Sequence, residues 1–153
     1  MRYYKAKRVI RDFTRKINPT IKVKFNRKGL NASDMKRKVV YLDLQEIVTN
    51  PYHNLNMQYH FRNATGLVAY TLLHELGHIQ TAHQVENLPQ ELANYGFYVE
   101  KLRQSDLTYK TIAKSYSKLK LERLANQWAY DYVCNHSSGV DKLKNDLLEL
   151  GLT

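Results

Sequence analysis

The apolar positions along the chain change period several times, and each change marks an element. Ala6, Ile10, Phe13 and Ile17 recur at helical spacing between basic residues, which predicts an amphipathic first helix ending near Asn18-Pro19. Ile21 to Phe25 alternates with period two, and Lys38 to Leu44 is a second strand-like run. Between them, Asn26-Arg27-Lys28-Gly29 and Asn31-Ala32-Ser33-Asp34 carry turn chemistry, so residues 1–48 are expected to hold a helix and a small sheet of two or three strands. Residues 49–63 have weak periodicity and many polar and aromatic side chains, and read as a loop, with a short helical turn as the alternative, leading directly into the next helix. An apolar helix then runs over about 64–82, capped by Asn63 or Thr65. Asn87-Leu88-Pro89 opens another helix, about 88–103, with Leu92, Tyr95, Val99 and Leu102 on one face. After a break near Ser105-Asp106, a helical pattern over about 107–135 aligns Leu121, Leu124, Ala125, Trp128, Tyr132 and Val133. Val140 to Leu150 forms an amphipathic tail helix. The pattern describes an α+β chain, mostly helical, with no internal repeat.

The helix at 64–82 contains His74-Glu75-Leu76-Gly77-His78. Residues four apart lie on one face of a helix, so His74 and His78 can hold one metal ion between two imidazoles. Glu75 sits beside the metal rather than on it, the place for a general base acting on water. Six His and seven Glu in 153 residues produce such a pattern by chance in roughly one sequence in a hundred, so the context matters. Here the residues before His74 are nearly all apolar, as a rigid, buried helix requires, and Gly77 removes a side chain where another segment can pack closely.

Charge adds a second feature. The chain carries +10, but residues 1–40 hold fourteen Lys and Arg against Asp12 and Asp34, so the basic character belongs to the N-terminal quarter. Such a block can face nucleic acid, an acidic protein or an anionic membrane surface, or simply be a solvated face. Length fits one domain over 1–153, and 43% hydrophobic content with six Gly and three Pro excludes a low-complexity chain. Twelve Tyr are unusual and suit either the rim of a core or a binding surface. Cys134 is the sole cysteine, which excludes an intramolecular disulfide. No signal peptide is visible at the start, and the longest uncharged apolar stretch is far short of the ~20 residues that span a bilayer, so a cytoplasmic protein without membrane contact is expected.

A catalytic zinc takes three protein ligands and keeps a fourth position for water. Metzincins place a Gly three residues and a His six residues beyond the second motif His; here those positions are Thr81 and Gln84, and His83 is one residue early. A carboxylate from a later helix is the alternative, with Glu86, Glu91, Glu100 and Glu122 available. Glu122 is favoured because Ala125 and Ala129 line its face and let its helix approach closely, and Asn126 can support the carboxylate or a histidine. Glu100 is the second choice.

HELGH followed by Glu122-Arg123-Leu124-Ala125-Asn126-Gln127-Trp128-Ala129 resembles the ImmA/IrrE-type metallopeptidases, whose pattern is HExxH and later ExxAN, an aromatic and Ala. The resemblance covers the two motif helices and, more loosely, the small sheet. It implies a zincin-like minimal metalloprotease domain, with the sheet packed on the HELGH helix and a second helix bearing a ligand. It also implies Zn2+ held by His74, His78 and Glu122, with Glu75 as the catalytic base. By analogy with zinc peptidases, residues 38–44 are the candidate edge strand for pairing with an extended substrate. Tyr130, Tyr132 and His60 are candidate oxyanion donors; His53, His60, Tyr52 and Tyr59 could reach the site, although for each one singly a surface or packing role is the commoner one. The interval between His78 and Glu122 is longer than is typical, residues 85–106 reading as an inserted helix, and Tyr130-Asp131-Tyr132-Val133-Cys134 replaces the usual Leu-Leu-Met-Pro ending. Family members often belong to phages and mobile elements and act on a repressor, so the implied partner is a protein substrate such as a transcriptional repressor. A regulatory protein of the same fold without hydrolytic activity, and a nucleic-acid-binding protein using residues 1–40, are the alternative classes.

Overall fold

A computed structural model of the chain describes residues 2–49, 63–108, 111, 114, 115 and 118–152. The elements are α1 (Tyr3–Ile17), β1 (Lys22–Phe25), β2 (Ala32–Asp34), β3 (Val39–Leu42), α2 (Leu44–Thr49), α3 (Ala64–Thr81), a 3-10 turn (Ala82–Gln84), α4 (Leu88–Arg103), α5 (Lys120–Asn135) and α6 (Ser137–Glu149). The fold is mostly helical with one three-stranded sheet, the α+β composition that the periodicity predicts. Among the described residues no helix is long and apolar enough to cross a membrane.

Helix α3 is the axis. All of it is buried except Leu67 and Gln80, which are half-buried. A helix apolar on every side needs neighbours on every side; α2, β2 and β3 cover part of α3, and α5 and α6 cover the rest. The Asn63 side chain starts it by accepting a hydrogen bond from the Gly66 amide at 2.8 Å. At its other end, Asn18 Nδ2 donates to Gln80 Oε1 at 2.9 Å and ties the end of α1 to the last turn. The amphipathic α1 buries Ala6, Ile10 and Thr14 and turns its basic face outward. Leu72, Leu73 and Leu76 from α3 join Ile10, Leu42, Ile47 and Leu147 in one apolar core.

The sheet corrects two expectations. Its order is β1-β3-β2, with β1 parallel and β2 antiparallel to β3. The run at 38–44 is therefore the central strand: Val39 faces Lys22 on one side and Asp34 on the other. Its backbone groups are committed to neighbours, so it cannot pair with a substrate, and among the described residues the outer strands are β1 and β2. The segment Asn31–Asp34 contributes β2 rather than a turn. The turn follows it: Asp34 Oδ1 accepts from the amides of Lys36 and Arg37, and Lys38 completes the reversal at φ 54°.

Helix α2 lies between the strand-like run that ends at Leu44 and the loop expected from residue 49. Asp43 forms it, its Oδ1 accepting from the Glu46 amide at 3.1 Å while its Oδ2 accepts from the Gly29 amide at 2.9 Å. Gly29 adopts φ 72°, the left-handed conformation that glycine reaches without strain. The helix bearing Glu122 also differs from the expected span of about 107–135. It begins at Lys120, because Leu119 at ψ 142° is extended and interrupts any helical path from before it.

Candidate metal centre

The site is made where α5 crosses α3. A Cβ placed on Gly77 would stand 2.6 Å from the Ala125 carbonyl oxygen and 2.9 Å from Ala125 Cα. Only a glycine lets the two backbones meet there, and the small side chains of Ala125 and Ala129, both fully buried, continue the seam. This contact sets Glu122, one turn before Ala125, against His74 and His78, which flank Gly77.

His74, Glu75, His78 and Glu122 are 8%, 8%, 6% and 1% exposed, so a charged set has been taken out of water. Glu122 Oε2 lies 2.9 Å from His74 Nε2, and Glu122 Oε1 lies 3.2 Å from His78 Nε2. The two imidazoles stand edge to face with centroids 4.7 Å apart. Asn126 Oδ1 accepts from His74 Nδ1 at 2.7 Å, which leaves the Nε2 lone pair turned toward the carboxylate. Two lone-pair-bearing atoms this close repel unless a cation or a proton sits between them.

Burial opposes the imidazolium form of His74, but the adjacent Glu122 carboxylate outweighs it, with help from Glu75 and the bond to Asn126, and raises the pKa to about 9. Burial likewise opposes ionisation of Glu122. The charge of His74, together with hydrogen bonding to both histidines, overrides it and holds the carboxyl far below the usual range. The pocket is thus built to carry positive charge among three ligating groups.

Their donor atoms all lie within 4.8 Å of one another, and among the described residues this is the one such group of three or more His, Cys, Asp or Glu. Two ligands at 2.0–2.1 Å from a tetrahedral zinc stand about 3.3 Å apart, close to the 2.9 Å between His74 Nε2 and Glu122 Oε2. Among the described residues the polar atom beside the buried Glu122 Oε2 is His74 Nε2, and a shared cation suits that pair. A cluster of this composition and geometry can hold a divalent metal ion.

No family model, curated protein or solved structure matches this chain.

The remaining sequence candidates separate clearly. Glu86 and Glu100 are exposed and Glu91 is half-buried, and none of them belongs to the cluster. His83 is exposed on the 3-10 turn. Tyr132 is drawn into an aromatic stack with Trp128 and His136 and meets Phe13 edge on, at the α1 side of α5; burial raises its pKa. Tyr130 is 37% exposed. Tyr52, His53, Tyr59 and His60 lie outside the described residues. In the basic face, Arg8 and Arg15 pair with Asp12, while Arg11 lies over the Phe25 ring and donates to the Val23 carbonyl, blunting the β1 edge.

One residue was missed by sequence reasoning. Tyr95, from helix α4, donates its hydroxyl to Glu122 Oε1 at 2.9 Å. The apolar face of α4 was legible, but a tyrosine on such a face usually buries a ring, and the reach of its hydroxyl depends on where α5 packs.

Proposed function

We propose that the protein is a zinc-dependent metallo-endopeptidase of the zincin type, similar to the ImmA/IrrE-type enzymes, acting on a protein substrate. The observation that carries this reading is the meeting of His74, His78 and Glu122 in one buried cluster, with Glu75 next to it on the same helix. A zinc ion held by those three residues would supply Lewis-acid polarisation of the scissile carbonyl and an acidified water.

The chain's own residues do the rest. Glu75 accepts the proton released as the water oxygen bonds to the peptide carbonyl carbon, then delivers it to the nitrogen as the C–N bond breaks. Asn126 holds the His74 ring with Nε2 turned inward, and Gly77 keeps α5 near enough for Glu122 to complete the set. An extended peptide can add to the sheet only at an outer strand. Strand β2 is the edge that packs on α3, antiparallel to its neighbour, and takes the place expected of residues 38–44. A transcriptional repressor remains the substrate class implied by the sequence resemblance.

The test is metal content together with hydrolysis. Wild type is expected to hold one zinc per chain and to cleave a susceptible protein. Glu75→Gln should keep the zinc and lose cleavage, whereas Glu122→Ala should lose tight zinc binding. Cleavage retained by Glu75→Gln removes Glu75 from the role of base, and wild-type zinc affinity in Glu122→Ala removes Glu122 from the ligand set.

A further inference from the structure

The two oxygens of Glu122 are not equivalent. Oε1 accepts the Tyr95 hydroxyl at 2.9 Å and lies 3.2 Å from His78 Nε2, while Oε2 faces His74 Nε2 at 2.9 Å and takes no bond from Tyr95. A hydrogen bond to one oxygen fixes the rotation of the carboxylate about its Cγ–Cδ bond and engages a lone pair that would otherwise face a metal. The remaining oxygen keeps its full donor strength.

We propose that Tyr95 is a positioning residue that holds Glu122 as a single-oxygen ligand through Oε2. The inference rests on the metal-site reading above and adds a residue from outside both sequence motifs. A carboxylate free to turn can close on a metal with both oxygens and occupy the position that substrate or water needs. A catalytic zinc site works by keeping that position open. The tyrosine prevents the second contact and leaves the charge of the carboxylate in place.

The placement of Tyr95 supports the assignment. Helix α4 is mostly exposed, and Leu102 is its one buried residue. Phe97 and Tyr98, on the turn after Tyr95, are 66% and 39% exposed. A helix so lightly anchored nevertheless sends one phenol to a carboxylate that is 1% exposed. The insertion between HELGH and Glu122 thereby acquires a purpose at the metal.

The experiment compares full-length wild type, Tyr95→Phe and Leu102→Ala. Zinc affinity is measured by chelator competition, and coordination by the visible spectrum of the Co2+-loaded protein. Four-coordinate cobalt absorbs more strongly than five-coordinate cobalt. Tyr95→Phe removes only the hydroxyl; it is expected to bind one metal per chain ~10- to 100-fold more weakly and to lose cobalt absorbance as the second oxygen closes in. Leu102→Ala should lower thermal stability without changing the spectrum. A Tyr95→Phe protein with wild-type affinity and spectrum overturns the role of Tyr95 alone. Wild type that takes up neither zinc nor cobalt overturns this inference and the metal reading together, and a spectrum changed equally in Leu102→Ala reduces Tyr95 to a packing residue.

Discussion

Replacing Gly77 by Ala probes the seam on which the site depends. In an open helical position this change stabilises a protein by about 0.5–1 kcal/mol, because alanine loses less backbone freedom on folding. At Gly77 the new methyl would stand 2.6 Å from the Ala125 oxygen, whereas a relaxed non-bonded contact lies near roughly 3.5 Å. The clashing atoms are backbone on both sides, so no rotamer change relieves them, and α5 must retreat by about 1 Å. Overpacking of this kind costs about 1–3 kcal/mol. After the propensity gain, a net loss of roughly 0.5–2 kcal/mol is expected. The same retreat carries Glu122 away from His74 and His78 by more than the ~0.2 Å tolerance of metal–ligand distances, so zinc should bind at least about tenfold more weakly. Gly96 is the internal control: nothing lies within 4 Å of a Cβ built there. Urea unfolding in chelator, followed by circular dichroism, should show Gly96→Ala gaining stability and Gly77→Ala losing it. If Gly77→Ala were as stable as wild type and bound zinc equally well, the close-packed seam would be refuted.

Three other predictions concern protons and caps. Because His74 titrates at about 9 in the metal-free fold against 6.5 when unfolded, the folded chain holds an extra proton between those values. Metal-free stability should be fully supported below pH 6.5 and decline as pH rises through 9, by at most about 3 kcal/mol; a denaturant midpoint flat over that range would contradict it. Zinc must displace the same proton, so its affinity should weaken as pH falls below 9, readable by chelator competition across pH. Asp43→Ala removes the α2 cap and the partner of the Gly29 amide. It should lower the unfolding free energy by roughly 1–2 kcal/mol without changing zinc stoichiometry.

The parts of the molecule legible in the sequence are those where one local rule decided the outcome. A run of apolar residues around HELGH announced a buried helix, and the Ala125 and Ala129 spacing announced a close approach that Gly77 completes. Asn126 stood at the spacing from which it reaches His74. What escaped depended on partners distant in sequence. The central position of β3 follows from parallel pairing with β1, which no hairpin-like pattern foretells. Strand β2 is three half-buried residues whose Ser and Asp, following Asn31, look like turn chemistry. The start of α2 did leave a trace, Asp43 followed three residues later by Glu46, but it was masked by the strand-like run ending at Leu44. Tyr95 stayed hidden because periodicity places a side chain on a face without telling what its tip meets.

The chain path between His78 and Glu122 would give a bound metal a further effect. An ion held at both ends would close everything from 78 to 122, including α4, into a single covalent-like ring. Cross-linking a loop of that length restricts the unfolded ensemble by about 4 kcal/mol in the chain-entropy description. The ion would then act as a clasp as well as a reagent. Chelation should make peptide bonds inside the ring selectively open to trypsin, while α1 and the sheet stay protected.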